Sequence, residues 1–565
     1  MTIIAVLVLV ALLGCAAVVA QAARSRRKRL SRLRTGWGAI TPIAVLDDDR
    51  VSEAWLEMKG PDDADTQIDD RTWVDLDLDS VLATLDRTHT ALGRQMFYWR
   101  LRSGVAWAAS PDMEVLTERF TADQSCREAV GAQLDGAGRT LGNGLWVITR
   151  PSLIRVRWWY WIFPVLALLM LTGLIGIAFE PRIFLVCVAL LVINAGVRVA
   201  TAWQVPQLLA PMRQMGPLIS AAERLLAAAG PAIEGSDSIA ADIERLRPLR
   251  KIAGWVSRDP VASGDLVASL WEYLNLLFIL DANALLFSAK HLKELGPVLA
   301  RVAAWVGNTD VALSVASLRA EPRAWTTPNW SASACTHATA ICHPLVDAPV
   351  GNDATICAGR GTIITGANMS GKSTYLRTVG IAATLARAIN TCPAASWDGR
   401  PFRVRSLIGR TDDLSAGKSY YQVEADGVVE LLDDAEGALP TVFLLDELLR
   451  GTNTIERLAA GEAVLRALLT PHVTGNPHAA IVATHDGELV SMLEGLYTPV
   501  HFRETTGPEG LSFDFMCRSG PASTRTAIAL LESTGAPKHV IQAARARAEE
   551  LDKASSGAGT WNGAV

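Results

Sequence analysis

The run Gly366-Ala-Asn-Met-Ser-Gly371-Lys372-Ser373-Thr374 spells the complete GxxxxGK[ST] pattern of a phosphate-binding loop. Its chemistry follows from the residue types. Glycines let the backbone wrap phosphates with N–H groups, so Gly366, Ser370, Gly371 and Thr374 belong to the cradle, while Lys372 reaches the β and γ phosphates and Ser373 offers its hydroxyl to Mg²⁺. A second constellation, Thr441-Val-Phe-Leu-Leu-Asp446-Glu447, ends an apolar run in two carboxylates. Asp446 would hold the Mg²⁺ shell, partly through water, and Glu447 would orient or deprotonate the attacking water. A third, Ala479-Ala-Ile-Val-Ala-Thr484-His485-Asp486, brings His485 to the γ-phosphate of ATP.

These groups act together only if their elements bring them to one edge. The β-branched run from Gly361 predicts a strand ahead of the loop, and the residues from Tyr375 predict a helix after it. The apolar runs before Asp446 and Thr484 predict two further buried strands. Open α/β sheets build sites at the carboxyl ends of such strands, which predicts a single pocket for Mg-ATP. The expected fold of this C-terminal part is an α/β P-loop NTPase, preceded by a mostly helical region.

Outside that part the chain is unusually apolar. Half of the 565 residues are hydrophobic and the mean hydropathy is +0.22, with 20% of residues charged. Ile3 to Ala20 carries no charge, long enough for a membrane helix, and seven basic residues follow: Arg24, Arg26, Arg27, Lys28, Arg29, Arg32 and Arg34. A cleavable signal peptide carries its positive charge before the apolar stretch, so this order predicts an anchor at residues 1–23 with the basic cluster on the cytoplasmic face, against anionic lipid. Residues 158–203 form two more apolar runs broken at Glu180-Pro181-Arg182, and predict a helical hairpin. Trp158, Trp159, Tyr160 and Trp161 suit a membrane interface, while Arg155, Arg157 and Arg198 mark both hairpin ends as cytoplasmic. The expected location is a cell (inner) membrane, crossed three times, with the nucleotide site in the cytoplasm.

Between these spans, residues 24–157 form a cytoplasmic segment whose stretch from Asp47 to Asp79 is acidic and loop-like. Residues 204–330 read as helix followed by a proline-marked connector, residues 331–553 as the nucleotide-binding domain, and residues 554–565 as a small-residue tail. A net charge of −5 excludes a protein that coats nucleic acid through bulk positive charge. The eight cysteines contain no CxxC pair, which predicts reduced thiols with neither a zinc site nor a disulfide.

The extensions around the motifs resemble the MutS mismatch-repair family. Thr365-Gly-Ala-Asn-Met-Ser-Gly-Lys-Ser-Thr-Tyr-Leu-Arg377 looks like its Walker A signature, and Leu444-Leu-Asp-Glu-Leu-Leu-Arg450-Gly451-Thr452-Asn453-Thr454 like its Walker B and D-loop. Asp412-Asp413-Leu-Ser415-Ala-Gly417-Lys-Ser419, followed by Val423-Glu424, resembles the segment that in this family reaches the partner's nucleotide. His343-Pro344-Leu-Val346 resembles the opening strand; Ser523 to Leu531 and Gly535 to Ile541 resemble a helix-turn-helix dimerisation element. A shorter echo, Leu85-Asp86-Arg-Thr88-His-Thr90-Ala-Leu-Gly93-Arg94, is similar to the start of the MutS helical core.

The resemblance implies an ABC/MutS-type ATPase acting as a homodimer, with catalytic roles for Asn368, Glu447 and His485 and trans contacts from Ser415, Gly417 and Ser419. It also implies double-stranded DNA, mismatched or branched, as the load; membrane lipid is a further partner that the apolar segments and the basic cluster predict. Departures are equally legible. No counterpart of the mismatch-reading domain precedes Val81, Pro349 and Val350 stand where the family stacks an aromatic on adenine, and Leu449 and Arg457 replace glycines. A membrane-bound mechanochemical or signalling ATPase that never touches DNA is the alternative expectation.

Overall fold

A computed structural model of the chain describes residues 20–21, 24–25, 27–44, 49–59, 67–104, 111–150, 157–201, 205–229, 236–250, 266–367, 369–408, 420–435, 440–450, 452–469, 477–507, 510–521 and 536–557. The chain divides into two compact units, one of residues 1–63 and 82–322, the other of residues 64–81 and 323–565. The expected membrane anchor at residues 1–23 falls almost wholly outside the described residues; of the expected helix-turn-helix, residues 523–535 lie outside them, while Lys538 to Ile541 begin the helix Lys538–Gly557.

The first unit is helical. Two of its helices, α1 (Ile162–Gly176) and α2 (Ile183–Thr201), form the expected hairpin, joined by a turn around Glu180. With the preceding 3₁₀ turn from Trp158, each run is 19 residues long and apolar enough to cross a bilayer, and little of either is buried within the protein. After the hairpin come α3 (Leu266–Phe278) and the 40-residue α4 (Leu280–Arg319). Buried Asp310 on α4 accepts hydrogen bonds from the backbone N–H groups of His89 and Thr90 and from the Thr90 hydroxyl (2.7 Å). The Thr90 hydroxyl in turn accepts the Gly93 N–H at 3.0 Å and caps the helix Ala91–Ser103. A side chain at Gly93 would collide with the Asp310 carboxylate, so the motif Leu85 to Arg94 has a packing reason of its own.

The second unit contains two sheets. The larger has the strand order β10 (Gly510–Ser519), β9 (Tyr497–Gly507), β4 (Gly361–Thr365), β8 (Ala479–Ala483), β7 (Thr441–Asp446) and β6 (Arg403–Leu407). All pairings are parallel except β9 with β10, as a doubly covered α/β sheet requires. Three helices follow its strands: α5 (Lys372–Ile389), α6 (Tyr420–Ala435) and α7 (Thr454–Leu469). The smaller sheet contains β1 (Asn329–Trp330), β2 (Cys335–Ile341), β3 (Asn352–Cys357) and β5 (Ser396–Gly399). Residues 323–330, expected to be connector alone, thus contribute an edge strand.

Two expectations need correction. Cys335 and Cys357 are directly opposite in the antiparallel β2–β3 pair, with Cα atoms 4.0 Å apart, and form a disulfide. Cross-strand register, which carries no CxxC signature, creates that pair. The acidic stretch, read as loop, instead holds the helices Asp49–Met58 and Asp70–Asp75, and residues 64–81 dock in the second unit. Buried Asp75 accepts from the Ser406 hydroxyl (2.7 Å) and the Ile408 N–H (2.8 Å), so its acidity serves a backbone segment rather than solvent. Asp75→Ala strands both donors; the expected loss is about 2–4 kcal/mol, seen as a lower thermal midpoint for the nucleotide-binding unit.

Candidate functional site

Strands β4, β8 and β7 are consecutive neighbours, and Ala483 pairs with both Ile364 and Asp446. Their carboxyl ends are therefore level. Across that edge the Thr484 N–H donates to Ile364 O (3.0 Å) and the Glu447 N–H to Ala483 O (2.9 Å), fixing the three tips as one backbone surface. The side chains meet there.

Lys372 begins α5, and its ammonium is folded onto the Gly366 and Ala367 carbonyls at 2.9 and 2.8 Å, with His485 Nε2 at 3.4 Å. Gly366 and Gly371 adopt φ of +139° and +107°, left-handed conformations that let the loop curl over the helix start. Ser373 Oγ donates to Asp446 Oδ2 at 2.5 Å. Glu447 is the meeting point: Oε1 lies 2.8 Å from His485 Nε2 and Oε2 lies 2.6 Å from the Arg450 guanidinium. Glu447 and Leu449 have φ of +52° and +56°, strain of the kind found where a side chain must be aimed. Buried Glu424 of α6 supports that turn by accepting the Leu449 N–H at 2.6 Å.

Lys372, Ser373, Asp446, Glu447 and His485 are thus brought together as the sequence predicts. Asn368, Ser415, Gly417 and Ser419 lie outside the described residues. Sequence reasoning missed Arg450 as a partner of Glu447, and missed the fork by which Arg457 holds Asp486 at 3.1 and 2.8 Å, beside His485. Both arginines lie within ten residues of Glu447, but charge alone does not reveal their partners. These groups line a cavity of about 310 Å³.

The oxygens and loop also fit a magnesium-chelated triphosphate. Ser373 and Asp446 place a hydroxyl and a carboxylate within bonding distance, the donor pair a hard cation takes. The buried Ser370 hydroxyl has no partner among the described residues, and a phosphate oxygen would satisfy it.

Beside the loop, a second cavity of about 240 Å³ is walled by His343, Pro349, Val350, Tyr375, Phe502 and Phe515. Pro349 and Val350 supply no aromatic ring, but Phe515 lines the same cavity and supplies one. It sits at a bulge in β10 with φ of +55°, its carbonyl and the Cys517 N–H both held by the Asn352 side chain at 2.9 and 2.7 Å. The Phe-Asp-Phe alternation at 513–515 was the available signal; the bulge that turns it inward was not. Burial first, and then the nearby positive Arg377, hold the His343 imidazole down at about 4. Its folded value lies below the unfolded one, so the unfolded state binds the extra proton and stability falls as pH drops from about 6.5 toward 4. His343→Gln should show a smaller decline in thermal midpoint between pH 7 and 4.5 than the parent chain.

Residues 362–552 match the family model described as MutS domain V. The "DNA mismatch repair protein MutS 2" of Halobacterium salinarum is 35% identical over 212 residues, which cover 36% of this chain and 24% of that relative. The chain therefore spans about a quarter of that relative's length, and the residues matched by the family model lie within the second unit. Members of that family carry an α/β P-loop ATPase domain.

Proposed function

We propose that this chain is an ATP hydrolase of the MutS domain V type, held on a membrane by the α1–α2 hairpin and working as a homodimer on duplex DNA. One observation carries the enzymatic reading: Lys372, the Ser373–Asp446 pair and the Glu447–His485 pair converge on one strand edge. Similarity to a mismatch repair protein supports the DNA part. Two 19-residue apolar helices with exposed faces support the membrane part.

In this mechanism the loop N–H groups and the start of α5 bind the β and γ phosphates, and the Lys372 ammonium leaves the Gly366 and Ala367 carbonyls for phosphate oxygens. Ser373 and Asp446 would hold magnesium, which when bound would supply positive charge against the triphosphate. Glu447 accepts the proton of the attacking water, and His485, donating to Glu447, holds that carboxylate in line. The Arg457–Asp486 fork fixes the turn bearing His485. Hydrolysis then relaxes contacts made only with the triphosphate, which is how such a site drives movement of attached elements.

The test is the ATPase rate of detergent-solubilised full chain, alone and with perfect, mismatched or branched duplex at low salt. Stimulation by duplex is expected. Hydrolysis without any duplex response or duplex retention would leave the ATPase reading and remove the DNA reading. Salt-resistant partitioning into the membrane fraction checks the hairpin.

A further inference from the structure

Apolar residues recur at three and four along helix α3, as in Leu270, Tyr273, Leu274 and Leu277. It packs against both α1 and α2, and Leu270 and Tyr273 remain 58% and 67% exposed on the side away from them. Glu272 pairs with Arg198 at 2.8 Å, and five residues later Leu277 O accepts from Asn194 Nδ2 at 2.6 Å. As α3 advances from 272 to 277, α2 is met from 198 back to 194, so the helices are antiparallel and α3 climbs alongside the hairpin from the end where both hairpin ends emerge. Asn194 is seven residues before the end of α2, about 10 Å along its axis. Half a hydrocarbon core is about 15 Å thick. The tip of α3 thus reaches well into one leaflet.

At that tip the helix axis bends by 70° at Ile279, whose φ is +48°, into α4, which touches the 3₁₀ turn Trp158–Trp161 at the base of the hairpin. A helix end in water leaves its last carbonyls to solvent; one in hydrocarbon must satisfy them from within. Here protein groups do so. Asn275 O accepts the Ile279 N–H, Leu277 O accepts Asn194, and Phe278 O accepts the Asn283 amide at 3.0 Å. The Asn275 side chain closes the turn in both directions, accepting the Asp281 N–H at 3.1 Å and donating to its carboxylate at 2.6 Å.

We infer that α3 and its turn into α4 form a re-entrant membrane element, dipping into the leaflet at which the hairpin ends emerge, with lipid acyl chains covering Leu270 and Tyr273. This rests on the hairpin being a membrane element, as proposed above. Among the described residues, the lipid face is then a three-helix wedge rather than a hairpin alone. An Asn-closed turn at mid-leaflet depth ties it directly to α4.

The test uses the unmodified full chain in phosphatidylcholine–phosphatidylglycerol vesicles containing an apolar photoactivated diazirine, with labelled peptides read by mass spectrometry. Labelling of residues 266–278, centred on Leu270 and Tyr273, is expected within about twofold of that on α2 and about tenfold above the helix Pro111–Ala122. Label on α1 and α2 with residues 266–278 at the level of Pro111–Ala122 overturns the re-entrant element alone. Absence of label from α1 and α2 overturns the membrane reading, and this inference with it.

Discussion

Glu447→Gln should bind ATP with near-parental affinity and hydrolyse it about 10²- to 10⁴-fold more slowly, the range a general base contributes. The amide keeps the size of the carboxylate and can still meet His485 Nε2, now 2.8 Å from Glu447 Oε1, but it cannot take a proton. It also releases the Arg450 guanidinium, so any effect of that ion pair is removed at the same time. Single-turnover hydrolysis and titration with a fluorescent ATP analogue separate the two properties. Undiminished turnover would remove Glu447 from the reaction, while loss of binding would mark it as a structural support of the loop.

Lys372→Ala should fail at the earlier stage. In the structure the ammonium is 5% exposed and spans two loop carbonyls, preorganised to exchange them for phosphate oxygens. Truncating one partner of a buried charged hydrogen bond costs about 2–4 kcal/mol, roughly 30- to 1000-fold in affinity. The same titration reads this directly, with secondary structure by circular dichroism as the control. Parental affinity in a folded Lys372→Ala chain would show that the triphosphate sits elsewhere. The paired variants divide the site into its binding and its proton-accepting halves.

Much of the catalytic edge was legible because its signals are local. A β-branched run, a glycine loop and a helix start lie within 15 residues from Gly361 to Tyr375, and each carboxylate or imidazole directly follows a buried strand. The pair of helices was legible for the same reason, since two apolar runs and the break at Glu180-Pro181-Arg182 lie within one stretch of chain. What these patterns omit is the partner. Nothing in the sequence names the partners of Arg450 and Arg457, yet one holds Glu447 and the other holds the turn of His485.

By itself the sequence determined which residues can do chemistry and which strand ends carry them, because backbone period and turn chemistry are set within a few neighbours. Only tertiary structure decided that Cys335 faces Cys357, that Asp75 serves β6, that Phe515 turns inward, and that α3 climbs beside Asn194. Each depends on register or packing between segments distant along the chain. Such contacts are chosen by burial and hydrogen-bond satisfaction summed over the fold, and no local pattern records that sum.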